Sequence, residues 1–383
     1  MADTILILGN GFDIAMGRKT KYTDFIDFEK QLFSNPDEEL LEFLKDKNIK
    51  IEKYKDNLYL KFINENKGTL GDNWSNLEIM ISKLSEAVMY CKENTDLLYS
   101  TAYNEPIRQQ IERNMHKLRK DRNYCSKLYV ALLFFSQFYE KKWRDLEREV
   151  ALDKLNNEFI WQLDLLIELL EIYLSYLDYI DFEIRGIEAR PTALDAVPHL
   201  LSSYVLNFNY TNTSAYLFGT VEERTHFIHG QINLGRPIGQ INTMVFGIED
   251  KENDVNSDLI PYQKYYQRVV KETGNKFEEF FKPSHKYSNE GVSKSISKNI
   301  IIYGHSVDPL DKEIFQKCFE LAKKGGYPYR FIFTYVDEPA KRSIIKNLAI
   351  ILGKEKLIEL TGKQNVVFVK SDDKDGMKEV LLH

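Results

Sequence analysis

The chain opens on a bare apolar run, Ile5-Leu6-Ile7-Leu8, that breaks directly into Gly9-Asn10-Gly11-Phe12-Asp13. A short run that is apolar at every position fits a strand covered on both faces, as in a parallel sheet. Two glycines one residue apart let the backbone turn sharply and approach a ligand with no Cβ in the way. Ile14 to Gly17 can then open a helix whose unpaired N–H groups face that turn. After this the pattern changes. Between about Thr23 and Arg190 glycine and proline are few, and apolar residues recur at three- and four-residue spacing. Residues 24–33, 38–44, 124–139 and 143–177 read as helices, the last with a core stripe through Leu155, Phe159, Leu163, Leu166 and Leu170. Residues 66–73 read as a loop, and Trp74-Ser75-Asn76-Leu77-Glu78 opens the next helix.

From Pro198 onward strand-like runs return at residues 203–208, 225–228, 244–246, 298–303, 330–336 and 365–369, with a helix over 339–352. Short apolar strands alternating with helices predict an α/β fold: a parallel, Rossmann-like sheet with helices on both faces. The first strand stands apart from the others, so the expected organisation is an α/β domain of residues 1–22 and 195–383. A large all-helical insertion, residues 23–194, follows the first strand.

Polar clusters sit where these strands end: Gly9-Asn10-Gly11-Phe12-Asp13, Asn209-Tyr210-Thr211-Asn212, His229-Gly230 and Gly304-His305-Ser306. Ligand sites of open α/β sheets lie just beyond the carboxyl ends of the strands, so the four clusters are expected to converge on one nucleotide-type crevice. Each also has a plainer reading. Asn209 suits a loop amide bonding its own backbone, and His229 suits a core histidine. Asp13 would repel a phosphate, which points it toward a ribose or a helix cap.

Composition narrows the classes. With 43% hydrophobic and 29% charged residues the chain reads as a soluble globular protein, and a net charge of −6 argues against a surface that coats nucleic acid. The stretch 264–298 is locally basic, with Lys271, Lys276, Lys282, Lys286, Lys294 and Lys298, and is read as solvated surface. Cys91, Cys125 and Cys318 have neither metal-ligand spacing nor a disulfide framework, which suits a reducing cytoplasm. The apolar stretch 163–180 is interrupted by Asp164, Glu168, Glu171 and Asp178. An acid at a bilayer centre costs about 2.5–3.5 kcal/mol, so a cytoplasmic protein with no membrane span is expected.

Taken in order, Leu6-Ile7-Leu8-Gly9-Asn10-Gly11-Phe12-Asp13, Trp74-Ser75-Asn76-Leu77-Glu78, Asn207-Phe208-Asn209-Tyr210-Thr211, Ile228-His229-Gly230 and Tyr303-Gly304-His305-Ser306-Val307-Asp308 resemble the bacteriophage abortive-infection AbiH family. More distantly the set is similar to Sir2-like NAD-binding anti-phage proteins, which implies a Sir2-like sheet and a role in antiviral defence. By that resemblance Asn209 and His229 flank a nicotinamide ribose as the catalytic pair. Gly9, Asn10, Gly11, Phe12, Asp13, Tyr210, Gly304, His305 and Ser306 would then contact the nucleotide. Glu78 and Asp308 join them as further candidates, Glu78 on a helix expected over the crevice. Glu78 also suits a first-turn carboxylate and Asp308 a helix cap before Pro309. Three departures stand out. The glycine turn lacks the sirtuin Gly-Ala-Gly-x-Ser pattern, Thr211 replaces the expected aspartate, and no four-cysteine zinc module exists to serve a deacylase.

The activity this implies is cleavage of the nicotinamide–ribose bond of NAD, with NAD as substrate and no other cofactor or metal required. Asn209 would position and His229 act as general base. A non-catalytic NAD or ADP-ribose sensor is the alternative. A nuclease using His229, His305, Asp13 and Glu78 as metal ligands is the third reading. A phage-encoded trigger and a homo-oligomer are the partners such an enzyme would need for restraint, and nucleic acid is not an expected partner.

Overall fold

The computed structural model describes residues 3–66, 74–94, 107–116, 119–139, 146–237, 240–248, 258–287 and 293–382. It divides into two compact units. One comprises residues 1–24, 171–244 and 271–383, the other residues 25–170 and 245–270.

The strands are β1 (Asp3–Leu8), β2 (Tyr204–Asn207), β3 (Thr225–Phe227), β4 (His285–Tyr287), β5 (Ser293–Ser295), β6 (Lys298–Tyr303), β7 (Tyr329–Tyr335) and β8 (Val366–Lys370). Six of them form an all-parallel sheet in the order β3-β2-β1-β6-β7-β8, while β4 and β5 make a separate antiparallel pair. Counted within the sheet alone, that order is 3-2-1-4-5-6. It is the doubly wound arrangement whose crevice opens where the winding reverses, here between β1 and β6.

Alternation along each strand explains why these runs are apolar throughout. Ile5 and Ile7 join Leu206, Ile300, Ile302, Phe331 and Phe333 in one core, whereas Leu6 and Leu8 join Val205, Ile301 and Ile332 in another. The first core is closed by Phe315, Leu348 and Leu360 from the helices Lys312–Lys324, Glu338–Leu352 and Lys354–Gly362. The second is closed by Phe12 and Met377 from Asn10–Ala15 and Lys374–Leu382. Burying one such side chain contributes roughly 1.5–3 kcal/mol, so both faces must be apolar for the sheet to hold its helices.

Three expectations are corrected. The run at 244–246 is no strand: the side chain of Gln267 donates to the Phe246 carbonyl (3.1 Å) and accepts from its N–H (3.0 Å), replacing a neighbouring strand. The first helix starts at Asn10 rather than Ile14, because Gly9 is its extended N-cap and Gly11 already lies inside it. Lys271 and Lys298 are not solvated. Lys271 donates to the Met244 carbonyl, and Lys298 is 1% exposed and pairs with Asp3 at 3.1 Å.

The second unit is helical, built on Glu38–Asp46, Leu58–Glu65, Trp74–Glu93, Ile107–Asn114, Tyr124–Tyr139 and most of Arg148–Asp178. The Tyr59 ring meets Phe159 edge-on at 5.8 Å, and the Tyr262 hydroxyl donates to Asn156 Oδ1 at 2.8 Å. Lys92 reaches both Asp153 and Asp258, at 2.6 and 2.7 Å. The long helix changes unit at Glu171, and residues 245–270 group with the helices, whereas the sequence suggested boundaries at 23 and 194. No described helix is long and apolar enough to cross a membrane.

Candidate functional site

Register places the site. Leu8 pairs with both Asn207 and Tyr303, and Asn207 pairs with Phe227, so β1, β2, β3 and β6 end level with one another. The chain beyond each end therefore delivers Gly9, Asn209, His229 and His305 to one edge of the sheet.

The glycine turn is built against the loop after β6. Gly9 N–H donates to the Tyr303 carbonyl (3.0 Å), Gly11 N–H to the Gly304 carbonyl (2.7 Å) and Phe12 N–H to the Gly9 carbonyl (2.8 Å). A Cβ on Gly11 would stand 2.8 Å from Gly304, and one on Gly304, whose φ is +68°, would stand 2.2 Å from Phe12 N. The glycines thus serve the approach of two backbones. Three amides of the turn are therefore bonded within the chain.

Beyond β2, the buried side chain of Asn207 organises the loop. Its Oδ1 accepts from Asn209 N–H (2.9 Å) and its Nδ2 donates to the Thr211 carbonyl (3.2 Å). Asn209 is 7% exposed, and its Nδ2 donates to the Gly9 carbonyl at 3.0 Å. A carbonyl can only accept, so this contact orients the Asn209 amide. Tyr210 follows, and its carbonyl accepts from Ile232 N–H at 3.0 Å.

The histidines meet at a carboxylate that the sequence reading did not select. Asp311 Oδ1 lies 3.1 Å from His229 Nε2, and Oδ2 lies 3.6 Å from His305 Nε2. His305 Nδ1 accepts from Val307 N–H at 2.8 Å. Phe208 packs edge-on to both imidazoles, with centroids 5.5 Å from His229 and 4.4 Å from His305, and stacks on Phe315. Val307 is fully buried at φ 55°, a left-handed conformation rare for a β-branched residue. Gly230 has φ +73°, and a Cβ there would stand 1.9 Å from the Thr243 carbonyl oxygen. Beyond it, buried Glu171 accepts from Asn233 N–H and Asn242 Nδ2, both at 2.8 Å, and pairs with Arg236.

Several of the expected contact residues have partners of their own within the chain. Phe12 is a core residue, 5.7 Å from Phe218 and 6.0 Å from Tyr303. Asp13 is turned inward, 1% exposed, accepting from Thr211 Oγ1 at 2.6 Å. Thr213 links this contact to Arg18, which pairs with Asp178 (2.5 Å) and Asp181 (3.0 Å). Burial pushes the Asp13 carboxyl upward against the opposing pull of Arg18, and lifts Asp178 to about 6. Asp13 is therefore part of a buried network instead of a ribose contact. Asp308 caps the turn Pro309–Asp311 through Leu310 N–H (3.0 Å), and Glu78 pairs with Lys264 at 2.9 Å in the helical unit. Asn10 and Gly304 are half-buried and Ser306 is exposed, its carbonyl accepting from Asn347 Nδ2 at 3.1 Å. His226 is buried and stacked on Phe277, and desolvation, with Lys276 and His229 nearby, pulls it down to about 4.

A signal for Asp311 was present. Asp308-Pro309 is a helix-start signature that already employs Asp308, which leaves Asp311 as the acid able to turn inward. Among the described residues no group of three His, Cys, Asp or Glu side chains is arranged to hold a metal ion.

Residues 5–327 match the family model described as bacteriophage abortive infection AbiH. No curated protein and no solved structure matches the chain.

Proposed function

The chain belongs to the bacteriophage abortive infection AbiH family, and from that premise we propose that it acts in abortive infection by hydrolysing the nicotinamide–ribose bond of NAD. The observation that carries this reading is the assembly of Asn209, His229 and His305 at the switch point of a 3-2-1-4-5-6 sheet. In the reaction a water oxygen bonds to the anomeric carbon. The carbon–nitrogen bond breaks, nicotinamide leaves with the electron pair, and the water proton passes to His229. Asn209, fixed by Gly9, positions the ribose or the water, and base catalysis of this kind contributes roughly 10²–10⁴-fold. The internally bonded turn is not a phosphate cradle, because its amides already have carbonyl partners.

One observation favours the alternative, a nucleotide sensor without turnover: His229 Nδ1 is shielded from solvent, so base catalysis requires the surrounding chain to open. Purified wild type, Asn209→Ala and His229→Ala proteins incubated with NAD separate the two readings. Hydrolysis predicts nicotinamide release by wild type that falls at least tenfold in both variants. Binding of ADP-ribose without release identifies a sensor, and equal release by all three proteins refutes the site.

A further inference from the structure

We propose that Asp311 is the positioning residue of this site, holding His229 with its proton on Nε2 and its basic lone pair on Nδ1, opposite a His305 whose Nδ1 is occupied by a backbone N–H. The assignment of His305 follows from donor chemistry alone. The Val307 N–H that meets its Nδ1 at 2.8 Å can only donate, so that nitrogen carries no proton and Nε2 does. His305 thus turns an N–H toward Asp311 Oδ2 across 3.6 Å, long for a hydrogen bond but within ion–dipole reach. Protonating His305 would set two N–H groups against each other at Val307.

At His229 the carboxylate sets the tautomer. An ionised Asp311 accepts at Oδ1, so the nitrogen 3.1 Å away carries the proton and Nδ1 becomes the base. The arrangement follows the acid–histidine logic of nucleophilic hydrolases, with the carboxylate fixing tautomer and ring orientation. His226, the other imidazole near His229, is held neutral and adds no competing positive charge.

The loop geometry supports a built site. Asp311 ends the turn that Asp308 caps, and the same loop holds Val307 at φ 55°. A conformation of that kind is strained and persists where the surroundings over-determine it. Phe208 packs on both imidazoles and Phe315 on His305, and these apolar surroundings strengthen the pull of a single carboxylate.

The catalytic consequence rests on the NAD reading above, but the tautomers do not, and the test keeps them apart. Full-length protein labelled with ¹⁵N is followed by long-range proton–nitrogen NMR of its histidines from pH 5.5 to 8.5, as wild type, Asp311→Asn and Asp311→Glu. The expected wild-type spectrum shows the neutral form of His305 with its proton on Nε2, and His229 titrating from a neutral form protonated on Nε2. Asp311→Asn should lower the His229 midpoint by at least one pH unit, and Asp311→Glu should restore it partly. With NAD as probe, Asp311→Asn should reduce kcat by roughly 10²–10⁴-fold with KM changed less than threefold. Unchanged His229 tautomer and midpoint in Asp311→Asn, with the amide spectrum intact, overturn the assignment. The expected NMR result without NAD cleavage by wild type upholds Asp311 and overturns the hydrolase reading.

Discussion

Replacing His226 by Phe should remove a specific acid lability of the sheet unit. The imidazole is 5% exposed and lies against Phe277, with centroids 5.7 Å apart at 24°. Burial is the main cause that pulls it down from 6.5 to about 4, with Lys276 opposing its protonation further. Between those two values the unfolded chain binds a proton that the folded chain refuses, so stability falls as pH falls through the window. At pH 4.5 the difference amounts to roughly 2.5 kcal/mol and at pH 7.5 to roughly 0.1 kcal/mol, from 1.36 kcal/mol per pKa unit. Urea unfolding at the two pH values measures it, since the remaining carboxylates titrate alike in both proteins. Wild type should lose about 2–3 kcal/mol more than His226→Phe on acidification. Any packing change or lost imidazole hydrogen bond in the variant offsets both pH values alike, so the comparison between them isolates the protonation effect. Parallel losses in the two proteins would refute the neutral buried histidine.

Gly304→Ala should destabilise more than Gly219→Ala, although both glycines have φ near +65°. The left-handed conformation costs each about 1–2 kcal/mol, but only Gly304 faces a backbone atom at 2.2 Å, and thermal melts of the pair isolate that contact. Arg18→Met strands Asp178 and Asp181 in a buried network, with a loss of about 3–5 kcal/mol. Because burial already holds Asp178 at about 6, it takes up a proton between pH 8 and pH 5, so urea curves should show a smaller loss at pH 5 than at pH 8. Asn207→Ala leaves Asn209 N–H and the Thr211 carbonyl without their partner. It should cost about 1–3 kcal/mol by chemical denaturation and lower nicotinamide release along with it.

Much of the sheet was legible because both of its faces are buried, so the strands announce themselves as apolar runs. The run at residues 298–303 became β6 unchanged, and the ends of 203–208 moved by only a residue each. The run at 244–246 misled because three apolar residues carry no sign of their hydrogen-bond partner, here the side chain of Gln267. The site was half legible. Asn209 and His229 stood at strand ends, where spacing suffices to find them. Asp311 stood three residues from Asp308, and a single turn decides which of the two acids meets an imidazole.

The amino-acid sequence by itself determined a doubly covered parallel sheet, a helical segment between its first two strands and polar residues at four strand ends. Those features follow from periodicity and from the backbone limits of glycine, which act locally. The tertiary structure decided what each polar residue does. Gly9 and Gly11 admit the loop at Gly304, Asp13 reaches Thr211 nearly two hundred residues away, and one carboxylate serves two histidines. Such pairings depend on register and on which face a side chain takes, and these are fixed only when distant strands align.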